Sequence, residues 1–62
     1  MKSVKRILME RDGMDEFEAQ DLIDAVREDL NFAMENNDYE LAEDIMYGDL
    51  GLEMDYIFDL IF

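Results

Sequence analysis

The chain has 62 residues, half of them hydrophobic, 18 acidic and only five basic, for a net charge of −13. That length sets a ceiling of one domain, and because a chain this small buries only about 60% of its unfolded surface, a lone core is marginal without staples or a partner subunit. The absence of Cys and His excludes disulfides, thiol nucleophiles, zinc–thiolate sites and imidazole catalysis, and the negative charge argues against direct nucleic-acid binding, which needs Lys and Arg.

The charge is unevenly spread. Residues 1–11 carry four bases and one acid, a net +3, whereas residues 12–62 carry seventeen acids and Arg27 alone, a net −16. High charge produces disorder only when hydrophobicity is low, so this half-hydrophobic chain is expected to fold. Ile7, Leu8 and Met9 run straight into Glu10 and Arg11, too short for the apolar stretch of a signal peptide, about 7–15 residues. Nothing approaches the ~20 apolar residues of a membrane span. A cytoplasmic protein without membrane contact is expected. With no proline, repeat or Gly/Ser linker, residues 1–62 read as a single acidic domain.

Val4, Ile7, Leu8 and Arg11 share one helical face, which predicts a first helix over 3–12 with Ser3 as N-cap and Gly13 as its stop. Asp15 followed by Glu18 forms a capping box. Leu22, Ile23, Val26, Leu30, Ala33 and Met34 then recur at three- and four-residue spacing, predicting an amphipathic helix over 15–35. Asn36, Asn37 and Asp38 are turn residues. Asp38 and the stripe Leu41, Ala42, Ile45, Met46 and Leu50 predict a third helix over 38–50, ended by Gly51. Gly48 inside it costs about 1 kcal/mol relative to Ala and marks either close packing or fraying. The segment 54–62 is apolar around most of its circumference, broken only by Asp55 and Asp59, and a helix of that kind wants burial on most sides. The expected architecture is an all-α bundle of three to four helices, completed by homodimerisation or a higher homo-oligomer through Ile57, Phe58, Leu60, Ile61 and Phe62. The other reading of that tail is that it completes the chain's own core.

Asp21, Asp24, Glu28, Asn31 and Glu35 line the long helix opposite its apolar stripe. A solvated face usually mixes Glu with Lys, but here only Arg27 stands nearby, and Glu43 and Asp44 extend the bias into the next helix. Asp24 and Glu28 are a like-charged i,i+4 pair, and self-repulsion on this scale opposes folding. Two readings stay open: solubility, or a functional acidic surface that imitates nucleic acid and occupies a protein partner's basic groove. Carboxylates recurring about every 5–6 Å along one helix match a single phosphate strand better than a duplex, which carries a charge per ≈1.7 Å. The basic head is expected to latch onto the acidic body of its own or a neighbouring subunit. The methionines read as core filler.

Catalytic and metal sites do not assemble. A carboxylate pair needs a substrate cleft, for which so short a chain leaves little room. An EF-hand starting at Asn36 would need Gly where Leu41 stands and Glu where Tyr47 stands. No catalytic residue, metal ligand or cofactor is assigned, and a non-enzymatic protein is expected.

The run Glu35-Asn36-Asn37-Asp38-Tyr39-Glu40-Leu41-Ala42-Glu43-Asp44-Ile45, followed by Gly51-Leu52-Glu53-Met54-Asp55-Tyr56-Ile57-Phe58-Asp59-Leu60, resembles small acidic accessory proteins carried by bacteriophages of Gram-positive hosts. It covers the C-terminal half of the chain. Those relatives tend to have Pro where Met54 stands. The resemblance implies a viral accessory protein, of a kind that often blocks host defence systems such as restriction or CRISPR. The expected function is therefore inhibition of a defence protein through an acidic surface carried by Asp21, Asp24, Glu28, Glu35, Glu43 and Asp44. The alternative is a small structural, adaptor or antitoxin-like protein.

Overall fold

The computed structural model describes residues 2–61, and all the regular structure among them is helical. Helix α1 (Val4–Asp12) is capped by the Ser3 hydroxyl, which accepts from the Arg6 amide, and ends at Gly13 in the left-handed region with φ 69°. Helix α2 (Glu16–Glu35) opens with the expected capping box: the Asp15 carboxylate accepts from the Glu18 amide, and the Glu18 carboxylate accepts from the Asp15 amide. Both helices follow the sequence reading because their caps and apolar spacing are local. The turn to α3 (Tyr39–Ile45) places Asn37 at φ 53°, and Asp38 caps α3 by accepting from the Leu41 amide at 3.1 Å.

The third helix is shorter than expected. After Ile45 the backbone widens into a π-helical turn, Met46–Leu50. In a regular α-helix, residues four apart drift progressively around the axis; the wider turn holds Met46 and Leu50 on one face, and both are fully buried. Gly48 lies on the outside of this turn, where an added Cβ would meet nothing within 4 Å, so close packing does not explain it. Gly51, at φ 64°, closes the turn. The last segment is also not one helix. A 3-10 turn, Met54–Tyr56, leads into the five-residue α4 (Ile57–Ile61). Met54 follows an extended Glu53 (φ −71°, ψ 159°) and begins the turn.

The core lies on one side of α2. Ala19, Ile23, Val26, Leu30 and Ala33 form its buried stripe, and α1, α3 and α4 all pack against it. Val4 and Leu8 come from α1, Ala42, Ile45, Met46 and Leu50 from the third helical segment, and Ile57 and Leu60 from α4. Each large aliphatic side chain buried this way contributes roughly 1.5–3 kcal/mol. Twenty residues at 1.5 Å make α2 about 30 Å long, which accounts for the 32 Å long axis of a 32 × 20 × 19 Å body. No described polar or charged residue is buried. Among the described residues, no helix covers the face of α2 opposite the stripe, where Asp21, Asp24, Glu28, Phe32 and Glu35 are exposed.

Three long-range polar clips close the bundle. The first turn of α1 has no acid of its own; Asp59, at the far end of the chain, accepts from the Val4 amide at 2.8 Å. The third helical segment has no base in its last turn; Arg11 donates to the carbonyls of Leu50 at 2.6 Å and Gly51 at 3.3 Å. Arg27 donates through Nε to the Leu60 carbonyl of α4, whose last turn likewise has no base. Each clip places the charge that a helix end favours: negative at the N-terminus, positive at the C-terminus.

Replacing Asp59 by Ala is expected to cost about 1 kcal/mol, as loss of an N-cap does. That lowers the melting temperature by about 4–8 °C in a domain of this size. Asp59→Asn keeps an acceptor oxygen and should stay close to the native value. Thermal unfolding followed by circular dichroism distinguishes the two, and an equal loss in both variants would show that charge, not the bond to Val4, is what matters.

Candidate partner-binding face

The exposed side of α2 is where the acidic residues singled out from the sequence converge. Asp21, Asp24, Glu28 and Glu35 are all exposed and follow one another at three-, four- and seven-residue steps, so they form one ridge about 21 Å long. Asn31 continues the row. Asp24 accepts from Gln20 Nε2 at 2.9 Å and lies 3.9 Å from the Arg27 guanidinium. Among the described residues, neither a hydrogen bond nor an ion pair engages the side chains of Asp21, Glu28 or Glu35. Glu43 and Asp44 are exposed too, but they belong to α3, which packs on the apolar side of α2. They are not part of the ridge, and the expected six-residue surface divides into a four-residue ridge and a separate acidic pair.

The sequence reading passed over two residues on this side. Phe17, in the first turn of α2, is 81% exposed, and Phe32, in the last, is 62% exposed. Phe17 stands four residues before Asp21 and in line with the ridge; Phe32 flanks it next to Asn31. Their offset from the apolar stripe was the available signal, since a Phe outside the i, i+3, i+4 pattern of a helix has no core to enter.

Apart from Arg27, the cations are engaged elsewhere. Lys2 and Arg6 pair with Glu10 at 2.7 and 3.3 Å, Lys5 with Glu16 at 3.2 Å, and Arg11 with Asp12 at 2.7 Å. Two of the four cations of the basic head thus share Glu10 within it, and the other two reach the acidic body, Lys5 at Glu16 and Arg11 at the adjacent Asp12; the long-range bonds of Arg11 end on carbonyls rather than carboxylates. Hydrogen bonds from Lys2 and Arg6 hold the Glu10 carboxyl below its ordinary range, and Arg11 does the same for Asp12. An open depression of about 430 Å³ lies beside this head, lined by Ser3, Lys5, Arg6, Met9, Glu10 and Glu16. Its cations already face Glu10 and Glu16. Among the described residues, no cluster of three or more Asp or Glu could hold a metal ion, and no helix is long and apolar enough to cross a membrane.

The residues expected to build a subunit interface are divided by the structure. Ile57 and Leu60 are 5% and 3% exposed within the chain's own core, because the 3-10 turn sets α4 down with these two positions against α2. Phe58 is 64% exposed, Ile61 is half-buried, and Phe62 lies outside the described residues. No family model matches the sequence, and neither a curated protein nor a solved structure matches it.

The lowered Glu10 carboxyl gives a pH dependence of known sign. A carboxylate whose folded value is depressed stabilises the fold above its unfolded value, and that contribution is lost as pH falls through the folded value. The melting temperature of Glu10→Gln should therefore lie below the native one by a constant amount at neutral pH. The gap should start to close below pH 4.5, the ordinary Glu value, and vanish under the lowered one. A gap that persists in strong acid would mean that the Lys2 and Arg6 bonds to Glu10 are not its source.

Proposed function

We propose that this protein is a non-enzymatic inhibitor that lays the outward ridge of α2 into a basic, nucleic-acid-binding surface of another protein. The observation that carries this reading is the lack of neutralisation: Asp21, Glu28 and Glu35 stand exposed without a cation, Lys2, Lys5, Arg6 and Arg11 are engaged away from the ridge, and Arg27 reaches only Asp24, at 3.9 Å, while bonding the Leu60 carbonyl. Uncompensated charge of one sign opposes folding. A partner's Lys and Arg would remove that cost on binding and speed the encounter. The resemblance to phage accessory proteins makes a host defence protein, met in the host cytoplasm, the target of this proposal. The sign of the charge supports imitation of nucleic acid over binding to it, since phosphate contacts need Lys and Arg.

Charge reversal at the centre of the ridge tests the reading. Asp24→Lys with Glu28→Lys should leave the helical spectrum in place and abolish capture of the target from a host lysate. Native capture should weaken steeply between about 50 mM and about 500 mM salt, as screening requires. A doubly reversed variant that folds and still captures the target would make the acids agents of solubility only.

Self-association is a separate part of the proposal. With Ile57 and Leu60 inside the protomer, the described surface of α4 that a second copy would bury is Phe58, 64% exposed, and the outer edge of Ile61. Sedimentation at micromolar concentration should then give about twice 7.4 kDa, falling to the single-chain mass in Phe58→Ser. A native 7.4 kDa monomer removes the dimer from the account without touching the ridge.

A further inference from the structure

A duplex shows a protein its phosphates and keeps its rings stacked inside; a single strand shows both. Proteins that hold single strands accordingly combine a basic groove with apolar or aromatic platforms on which bases stack. The outward side of α2 presents that same pair of features. Phe17 and Phe32 stand 81% and 62% exposed at its two ends, 15 residues and therefore about 22 Å apart along the axis, with Asp21, Asp24 and Glu28 between them. Neither ring stacks on another ring among the described residues.

The exposed rings need an occupant, and charge decides which. A second copy docked symmetrically on this face would set ridge against ridge, and like charges across an interface cost several kcal/mol. A head-to-tail copy would have to bring the basic head, whose cations already hold Glu10, Glu16 and Asp12. An uncharged apolar partner would bury the carboxylates unpaired, which is costly. What fits is a positively charged groove with apolar or aromatic sockets.

From this juxtaposition we infer that the outward face of α2 imitates a single nucleic-acid strand, with Phe17 and Phe32 as stand-ins for stacked bases and the carboxylates between them for phosphates. The partner it fits is a single-strand-binding groove rather than a duplex-binding surface. This inference rests on the reading of the ridge as a binding face and adds the class of partner to it.

Displacement from two purified proteins tests it. One is an oligonucleotide-binding-fold single-strand binder holding fluorescein-labelled oligo(dT); the other is a helix-turn-helix protein holding a labelled duplex site. The full chain should displace the oligo(dT) at a concentration at least about tenfold lower than it displaces the duplex. Phe17→Ala with Phe32→Ala should raise the concentration needed on oligo(dT) about tenfold or more, as expected from about 1–3 kcal/mol per stacked ring, with an unchanged helical spectrum. Displacement of the duplex alone, of both equally, or of neither would overturn the inference, as would a double Phe variant that competes as well as the native chain. Those failures leave the ridge itself to the charge-reversal test: a protein that loses its target on Asp24→Lys with Glu28→Lys but not on loss of the two rings is an acidic binder without single-strand character.

Discussion

Five cations for eighteen carboxylates is the constraint on which the rest of this structure depends. With so few positive groups, where each one goes decides which acids are left bare. Arg11 and Arg27 go to helix ends, closing the third helical segment and α4 through backbone carbonyls. Lys2, Lys5 and Arg6 go to Glu10 and Glu16 beside α1. Those pairs are exposed, and exposed ion pairs contribute little to stability. Their consequence is distributional: four of the five cations collect around α1, Arg27 reaches only Asp24 on the ridge, and Asp21, Glu28 and Glu35 on the outer side of α2 keep their charge.

The packing leads to the same place. Helices α1, α3 and α4 all rest on α2, because a long helix with a continuous apolar stripe is broad enough to organise a core in so short a chain. Among the described residues, the opposite side of α2 is then left exposed from Phe17 to Glu35. Asp59 reinforces the arrangement. It belongs to the segment that looked too apolar for solvent, yet its carboxylate ties α4 back to the start of α1. Ile57 and Leu60 enter the core in the same stroke, so among the described residues of α4 it is Phe58 and Ile61 that keep apolar surface outside it.

The parts of this fold that were legible in the sequence are those set by neighbours in the chain. Ser3, Gly13 and the Asp15/Glu18 box place the ends of α1 and the start of α2 to within a residue, and the spacing of Ile23, Val26, Leu30 and Ala33 gives the buried stripe. The position of Asp21, Asp24, Glu28 and Glu35 on one outward face was legible for the same reason. The π-helical turn was not, because Met46 and Leu50 fit an α-helical pattern nearly as well, and only burial of both in the shared core of the folded chain selects between them. The clips from Asp59 to Val4 and from Arg11 to Leu50 span 55 and 39 residues, beyond the reach of any local rule. Glu43 and Asp44 looked continuous with the ridge in sequence and are separated from it by the turn at Asn37.

The central claim is that the outward side of α2, from Phe17 to Glu35, is the surface on which this protein meets its partner. Amide chemical-shift mapping of the ¹⁵N-labelled chain, titrated with an unlabelled single-strand-binding domain, tests it most directly. Shifts concentrated at Phe17, Asp21, Asp24, Glu28, Phe32 and Glu35, with α1 and α4 unmoved, are the expected result. Shifts centred on Phe58, on Glu43 and Asp44, or on the basic head, with the α2 ridge unmoved, would contradict it.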